Sequence, residues 1–313
     1  MNLAIIEPLG ISGEQAEELK KKYLPADVVM TYYNTPAVDA EEKSRRVAGA
    51  DAVMLANSPL PENVLAGNAG LQFLSVAFTG VDHVAMDYCQ EKNIVVSNCS
   101  GYANEAVSEL AIGLAISLYR KLQASDKAVR DGGTRAGLLG LELAGKKFGI
   151  VGAGAIGLAT AKLAKAFGCE IYFYSRTPKN IEGAHFVSLN ELLATADILS
   201  LHVPLTDTTR GLIGTAELAR MKKTAILINT ARGPVVDAKA LAAALCEGRI
   251  AGAAIDVFDK EPPLDATEVL LEAPHTLLAP HIGFATKEAL EKRAEIAFKN
   301  VAAWLEGKPQ NVM

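Results

Sequence analysis

Three glycines with the spacing G-x-G-x-x-G are the first residues of this sequence whose pattern indicates chemistry. The segment GAGAIG places them at Gly152, Gly154 and Gly157, after a strand-like run and at the start of an Ala-rich helical pattern. In this context the first glycine allows a tight turn, the second lets the backbone approach a pyrophosphate, and the third lets helix and strand pack closely. The first helical N–H groups carry a partial positive charge that suits phosphates. The segment, which includes Ala155 and Ile156, therefore predicts a dinucleotide-binding loop.

The strand-like run after this loop ends on residues that bear on which dinucleotide binds. For NAD, an Asp or Glu about 20 residues beyond the glycines normally accepts hydrogen bonds from the adenine ribose. The segment IYFYSRTP instead offers Ser175, Arg176 and Thr177, with Lys179 close by. A carboxylate would repel a 2′-phosphate, whereas an arginine pairs with it and a hydroxyl donates to it. We therefore expect NADP(H), and NAD(H) stays open as the alternative.

Unusual polar side chains follow three later strand-like runs. The segments INTARGPVVD, AAIDVFDKEPP and LAPHIGFAT contain Arg232, Glu261 and His281, respectively. In open α/β sheets, ligands bind beyond the carboxyl ends of the parallel strands. We therefore expect these three side chains at the edge of the sheet where the dinucleotide binds.

Short apolar runs alternate with helical patterns along the chain, which predicts parallel sheets covered by helices. A first series, up to about residue 98, has five strand-like runs: NLAIIE, DVVMTYY, DAVMLAN, LQFLSVA and IVVSN. After a long helical pattern at 104–122 and a glycine-rich arm, a second series has six: KFGIVG, CEIYFYS, ADILSLHV, TAILINT, AGAAIDVF and TLLAPH. The predicted fold class is α/β with two doubly wound parallel-sheet domains, the second of which binds the dinucleotide.

The composition limits the partners that the chain can have. It has 313 residues, half of them apolar, with a net charge of −5 and four widely spaced cysteines without a CxxC pattern. Because there is no basic tract, we expect no nucleic-acid partner, and because there is no apolar run of about 20 residues, we expect no membrane span. The N-terminus resembles a strand rather than a signal peptide. We therefore expect a cytoplasmic location, reduced thiols and no metal site.

The motifs GAGAIG, LSLHVPLTDTTRGLI, INTARGPVVD, DVFDKEP and APHIG occur in the order typical of the D-isomer-specific 2-hydroxyacid dehydrogenases, a family that this sequence resembles. The resemblance implies a Rossmann dinucleotide-binding domain at 99–285. This domain would be inserted into a discontinuous, flavodoxin-like substrate domain formed by 1–98 and 286–313. The resemblance also implies a homodimer joined through the dinucleotide-binding domains, and an oxidoreductase acting on small 2-oxo or D-2-hydroxy acids.

In that family the residues that match Arg232, Glu261 and His281 are catalytic. The planar fork of an arginine can bind the carboxylate of a 2-oxo acid and polarise the neighbouring carbonyl oxygen. As a hydride reaches the carbonyl carbon, that oxygen becomes an alkoxide, to which the histidine can donate a proton; in the opposite direction the histidine accepts one. The glutamate would hold the imidazole ring.

Further positions match ligand-binding residues of the family. Thr79 and Gly80, in VAFTGVDHV, match a loop that presents N–H groups to the substrate carboxylate. Asp256 would accept a hydrogen bond from the nicotinamide carboxamide, and Val107 would lie near the nicotinamide ring. Phe284 stands where many relatives have Ser, so it would line the pocket or pack beneath the catalytic histidine. The other cofactor positions are His202, Val203, Pro204, Thr230, Ala231 and Gly283.

The leading hypothesis is an NADPH-dependent reductase of small 2-oxo acids such as glyoxylate or hydroxypyruvate, and two alternatives stay open. Some proteins with this fold act as nucleotide-sensing corepressors or scaffolds, since a fold does not by itself determine a function. Other family members oxidise formate or phosphite. Formate-oxidising members typically have a Gln before the catalytic histidine, where this chain has Ala279 and Pro280. Formate is therefore a less favoured substrate.

Overall fold

The computed structural model describes residues 1–177, 181–261 and 263–313. Their contacts form two compact units, residues 1–103 with 285–313, and residues 104–284. The sequence predicts these divisions after residues 98 and 285. In the structure the first division lies after residue 103 rather than residue 98. The reason is that the Cys99 N–H donates to the Phe78 carbonyl at 2.9 Å and the Tyr102 ring packs near that of Phe78. Residues 99–103 therefore belong to the first unit.

The first unit contains a parallel sheet of five strands among the described residues, in the order β2-β1-β3-β4-β5. This is the flavodoxin-like order, in which the chain winds outward in both directions from the first strand. Every residue of β3 and β4 is buried, as expected for parallel strands that helices cover on both faces. The strands are β1 (Asn2–Ile5), β2 (Val29–Tyr32), β3 (Ala52–Leu55), β4 (Phe73–Val76) and β5 (Val95–Asn98).

Five α-helices belong to the described part of the first unit, and the last comes from the C-terminal segment. The Thr286 hydroxyl caps this helix by accepting the Ala289 N–H at 3.1 Å. Its Trp304 ring stacks on Phe73 of β4 at 5.0 Å, so the helix covers the sheet of the first unit. The helices are α1 (Gly13–Tyr23), α2 (Ala40–Val47), α3 (Glu62–Leu65), α4 (Met86–Glu91) and α11 (Lys287–Leu305).

The second unit contains a parallel sheet of seven strands in its described part, in the order β12-β11-β10-β9-β6-β7-β8. Six of them repeat the Rossmann order 3-2-1-4-5-6, and β12 extends it. The predicted fold class is confirmed, but the sequence predicts only six strands here. The strand that it misses, β8, has three residues, too few for a recognisable apolar run. The strands are β6 (Lys147–Val151), β7 (Glu170–Tyr174), β8 (Ala184–Phe186), β9 (Ile198–Leu201), β10 (Ile226–Asn229), β11 (Gly252–Ile255) and β12 (Thr276–Leu278).

The helices of the second unit differ from the predicted pattern at one point. The predicted helix at 104–122 ends at Tyr119, because Lys121 has a φ of +52° and starts a second helix, α6, in a new direction. No helix in the described ranges is both long enough and apolar enough to cross a membrane. The helices are α5 (Asn104–Tyr119), α6 (Leu122–Arg130), α7 (Ala155–Ala166), α8 (Leu189–Thr195), α9 (Thr215–Leu218) and α10 (Ala238–Cys246).

Candidate active site

The glycine loop connects β6 to α7, and its backbone leaves no room for side chains at two of the three glycines. Gly152 has a φ of +106°, and a Cβ there would lie 2.3 Å from the His202 carbonyl oxygen. A Cβ at Gly157 would lie 2.0 Å from the Gly152 carbonyl oxygen. At Gly154, the N-cap of α7, a Cβ would meet nothing within 4 Å. The first and third glycines therefore shape the loop, while the second leaves open space beside the helix N-terminus.

The residues expected to bind the adenine ribose follow β7 directly. The Ser175 hydroxyl donates to the Thr177 carbonyl at 2.5 Å, which closes a short turn. Arg176 and Thr177 are exposed, so both side chains are accessible to a ligand at this strand end. Lys179 lies outside the described residues. The structure therefore presents an arginine and no carboxylate at the three described positions after β7.

The residues of this unit fit a dinucleotide. The first-turn N–H groups of α7, at Ala155 and Ile156, have no partner within the helix, as at every helix start. Across the described chain, the Thr230 Oγ1 is one of few buried side-chain polar atoms without a hydrogen-bond partner. A buried hydroxyl in this state normally has a partner. A bound dinucleotide would supply acceptors for these N–H groups and a partner for the hydroxyl.

His202 follows β9, beside the glycine loop. The backbone N–H of His202 donates to the Val151 carbonyl at 2.8 Å, and the ring Nε2 lies 2.9 Å from the Ser200 hydroxyl. Burial lowers the pKa of His202 to about 4, so the ring is neutral at neutral pH. The neutral ring is thus held by Ser200 of β9, while the backbone of His202 is bonded to the end of β6. The next two predicted cofactor residues, Val203 and Pro204, are half-buried and exposed, respectively.

Arg232 lies in the turn after β10, and the buried side chain of Asn229 holds this turn. The Asn229 Nδ2 donates to the Arg232 carbonyl at 3.0 Å, and its Oδ1 accepts the Ala231 N–H at 3.1 Å. The half-buried guanidinium of Arg232 donates from Nη1 to the Ala231 carbonyl at 2.8 Å. Because the buried Asn229 side chain binds both the Ala231 N–H and the Arg232 carbonyl, the backbone of Arg232 is held in a defined position.

The turn of Arg232 packs against the segment that leads to Glu261. A Cβ at Gly233 would lie 2.1 Å from the Phe258 carbonyl carbon, so only glycine permits this approach. Glu261 then meets His281, with 3.0 Å between the glutamate Oε1 and the histidine Nδ1. The His281 side chain is 16% exposed and that of Glu261 is 44% exposed. The structure thus brings Glu261 and His281 together as an orienting pair.

Two further predicted residues lie beside the His281 ring or its backbone. The Phe284 ring packs edge-on against the imidazole, with 5.5 Å between centroids and an angle of 82°. Asp256, directly after β11, is buried and accepts the N–H groups of Ile282 and Gly283 at 2.8 Å each. Its expected contact with a nicotinamide stays a prediction.

The remaining predicted residues are distributed over both units. Val107 is buried near the start of α5, and its Cγ2 would lie 3.4 Å from a Cβ at Gly283. Thr79 and Gly80 follow β4 in the first unit, where the Thr79 carbonyl accepts the Asn98 side-chain amide at 2.7 Å. Their predicted role toward a substrate carboxylate stays a prediction.

Sequence reasoning misses Asn229 and Gly233 as residues that support the site. A sequence signal for Asn229 exists, because it is a polar residue at the end of the otherwise apolar run AILIN. A buried polar side chain at the carboxyl end of a parallel strand requires hydrogen-bond partners, and the nearest backbone lies in the following turn. For Gly233 the sequence shows only a common turn pattern, since the approach of Phe258 depends on the tertiary fold.

This fold and this site are those of a dinucleotide-dependent oxidoreductase. Residues 112–283 match the profile of the D-isomer specific 2-hydroxyacid dehydrogenase, NAD binding domain. The chain is 40% identical to a glyoxylate reductase of Thermofilum pendens over 86% of this chain and 82% of that protein. The chain belongs to the D-isomer-specific 2-hydroxyacid dehydrogenase family.

Solved structures agree with this assignment. A glyoxylate reductase from Paecilomyes thermophila superimposes with a TM-score of 0.88 at 28% identity, over 100% of this chain and 98% of that one. An acyclic imino acid reductase in complex with NADPH and D-Arg superimposes with a TM-score of 0.89 at 26% identity, over the whole of both chains. The chain is thus an enzyme that transfers a hydride between a nicotinamide dinucleotide and a small 2-oxo acid, and the scaffold and formate or phosphite alternatives are not favoured.

Proposed function

We propose that this enzyme is an NADPH-dependent reductase of short 2-oxo acids, which reduces glyoxylate to glycolate and hydroxypyruvate to D-glycerate. The observation that carries the proposal is the 3.0 Å pair of Glu261 and His281, in the same unit as Arg232 and the glycine loop. The acids named are those of the similar glyoxylate reductases, with hydroxypyruvate as the hydroxymethyl analogue of glyoxylate.

In the proposed mechanism, a bound dinucleotide would supply the hydride, and residues of the chain bind the substrate and donate the proton. Arg232 binds the substrate carboxylate and polarises the carbonyl oxygen beside it. Glu261 holds the imidazole through Nδ1, so that Nε2 of His281 donates the proton that the carbonyl oxygen takes up. The carbonyl carbon gains the hydride and its oxygen gains the proton, which balances the reduction to a hydroxy acid. Phe284 limits the tilt of the imidazole.

A substrate panel tests the function. Oxidation of NADPH and NADH is followed at 340 nm with glyoxylate, hydroxypyruvate, pyruvate and a branched-chain 2-oxo acid. We expect turnover with the first two acids, with a higher kcat/KM for NADPH than for NADH. Absence of turnover across the panel with both cofactors would contradict the proposal.

The proposed preference for NADPH is supported by the exposed Arg176 after β7 and by the absence of a carboxylate at the described positions 175–177. Charge-assisted hydrogen bonds to a phosphate are worth about 1.5–3 kcal/mol, so Arg176→Ala should raise the KM for NADPH by about 10- to 100-fold. The KM for NADH should change less than about threefold, because NADH lacks the 2′-phosphate.

Arg249→Ala is the matched control, since Arg249 is another exposed arginine of the same unit and pairs with Glu247 at 2.8 Å. It should leave both KM values unchanged. An equal loss for NADPH and NADH in Arg176→Ala, or no loss for either, would refute the role of Arg176.

We also propose a homodimer, joined through α6 and the arm that follows it. α6 has no buried residue, and apolar side chains are exposed along this segment, with Leu139 90% and Val129 74% exposed. Leu139 also lines a cavity of about 520 Å³, together with Leu118, Leu138 and Leu277. Apolar side chains that cluster at one surface, as Leu139 does with the leucines of this cavity, support a protein–protein contact there. The four cysteines are free, which suits the cytoplasmic location that we propose.

Leu139→Asp should convert the dimer into a monomer in sedimentation velocity at micromolar concentration, because burying an unpaired carboxylate in an apolar interface is unfavourable. Val38→Asp is the control, since Val38 is 86% exposed in the first unit. If the parent protein sediments as a monomer, or if Leu139→Asp sediments like the parent dimer, this interface is wrong.

A further inference from the structure

The turn that carries His281 has an unusual backbone. His281 has a φ of +55°, in the left-handed region that residues with a Cβ seldom adopt. Such a conformation persists only where the surrounding structure holds it, and it is concentrated at functional sites. The question is which group holds His281.

Asp256 accepts hydrogen bonds from three successive N–H groups of this turn. Its backbone carbonyl accepts the His281 N–H at 2.8 Å. Its Oδ1 accepts the Ile282 N–H and its Oδ2 accepts the Gly283 N–H, each at 2.8 Å. Successive N–H groups that converge on one anion form a recognised anion-binding arrangement of the backbone. Here the anion is the chain's own buried carboxylate, which is 1% exposed.

Two features show that this arrangement requires particular residue types. A Cβ at Gly283 would lie 2.9 Å from the Asp256 Oδ2 and would push the carboxylate away, so glycine is required there. Burial raises the pKa of Asp256, while the hydrogen bonds from Ile282 and Gly283 oppose that rise. An ionised carboxylate accepts at both oxygens, whereas a protonated one donates from one of them. The two backbone N–H groups therefore favour the ionised form of Asp256.

We propose that Asp256 is the positioning residue of His281: its carboxylate holds the left-handed turn that directs the imidazole Nδ1 to Glu261. The proposal rests on the proposed catalytic role of His281. It assigns Asp256 a task beyond the expected contact with the nicotinamide, since each carboxylate oxygen accepts one backbone N–H and keeps a second acceptor site. A positioning role lowers kcat, whereas a contact with the dinucleotide would weaken its binding.

Asp256→Asn tests the proposal, because the amide keeps the size of the side chain but replaces one acceptor by a donor. We expect kcat to fall by about 10- to 100-fold while the Kd for NADPH, measured by fluorescence titration, changes less than about threefold. Asp197→Asn is the matched control. Asp197 also accepts a backbone N–H, from Lys147 at 2.9 Å, but lies at the amino end of β9. It should leave kcat unchanged.

Gly283→Ala is the second variant, and it tests the positioning role of Asp256 if Asp256→Asn does not fold. It keeps the charge of Asp256 but displaces the carboxylate, so it should also lower kcat by about 10- to 100-fold. Histidine NMR supplies a readout apart from activity, since the His281 ring signals should move in both variants and stay in place in Asp197→Asn.

The two proposals fail differently. If the parent enzyme reduces no acid of the panel, the proposed function fails, and the NMR comparison still tests the positioning of His281. If the parent enzyme is active, the positioning role is overturned by a kcat within threefold of the parent in Asp256→Asn. It is also overturned by a Kd for NADPH that rises as much as kcat falls, or by unchanged His281 signals.

Discussion

Arg232→Ala should lower kcat/KM for 2-oxo acid reduction by about 10³-fold or more, while the Kd for NADPH changes less than about threefold. The variant loses the group that binds the carboxylate and polarises the carbonyl oxygen as negative charge develops on it. Cofactor binding is retained because the dinucleotide is proposed to lie on the glycine loop and the residues after β7. Steady-state kinetics with hydroxypyruvate and fluorescence titration with NADPH measure the two effects separately.

Two controls sharpen this prediction. Arg232→Lys keeps the charge but not the planar fork, so we expect a loss between those of the parent and of Arg232→Ala. Arg220→Ala removes an exposed arginine of the same unit and should have no effect. An Arg232→Ala enzyme that keeps kcat/KM within tenfold of the parent would show that Arg232 does not contact the substrate.

The second large effect is expected at His281. His281→Ala should lower kcat by about 10²- to 10⁴-fold, the range that a positioned acid or base contributes. Glu261→Gln should lower kcat less, by about tenfold, because the glutamine can still hydrogen-bond to Nδ1 but does not stabilise a charged ring. Measurement of kcat at saturating NADPH and substrate for both variants tests the order. A larger loss for Glu261→Gln than for His281→Ala would contradict the assigned roles.

Periodicity and turn residues were sufficient to predict most of the fold. The fully buried strands β3, β4, β9, β10 and β11 appear in the sequence as apolar runs, since parallel strands are covered on both faces. The edge strand β8 was missed because it has only three residues. α6 was missed because its nine residues contain only two large apolar side chains, Leu122 and Val129, too few for a recognisable helical repeat.

The site was predictable to a smaller extent. The glycine spacing indicated the proposed phosphate loop directly, and the structure shows a steric requirement for glycine at Gly152 and Gly157. Arg232, Glu261 and His281 could be assigned roles only through the resemblance to a family. The support from Asp256 could not be predicted, since the hydrogen bonds from Ile282 and Gly283 reach a residue 26 or 27 positions away, just beyond the end of the neighbouring strand β11.

Transfer of a labelled hydride tests the central claim most directly. Reduction of hydroxypyruvate is run with NADPH that carries deuterium in both positions at the reactive nicotinamide carbon C4, and the glycerate is examined by NMR and chiral chromatography. We predict D-glycerate with deuterium at C2, because the hydride passes from the cofactor to one face of the carbonyl carbon. Glycerate without deuterium at C2, the L-isomer, or no glycerate would contradict the account.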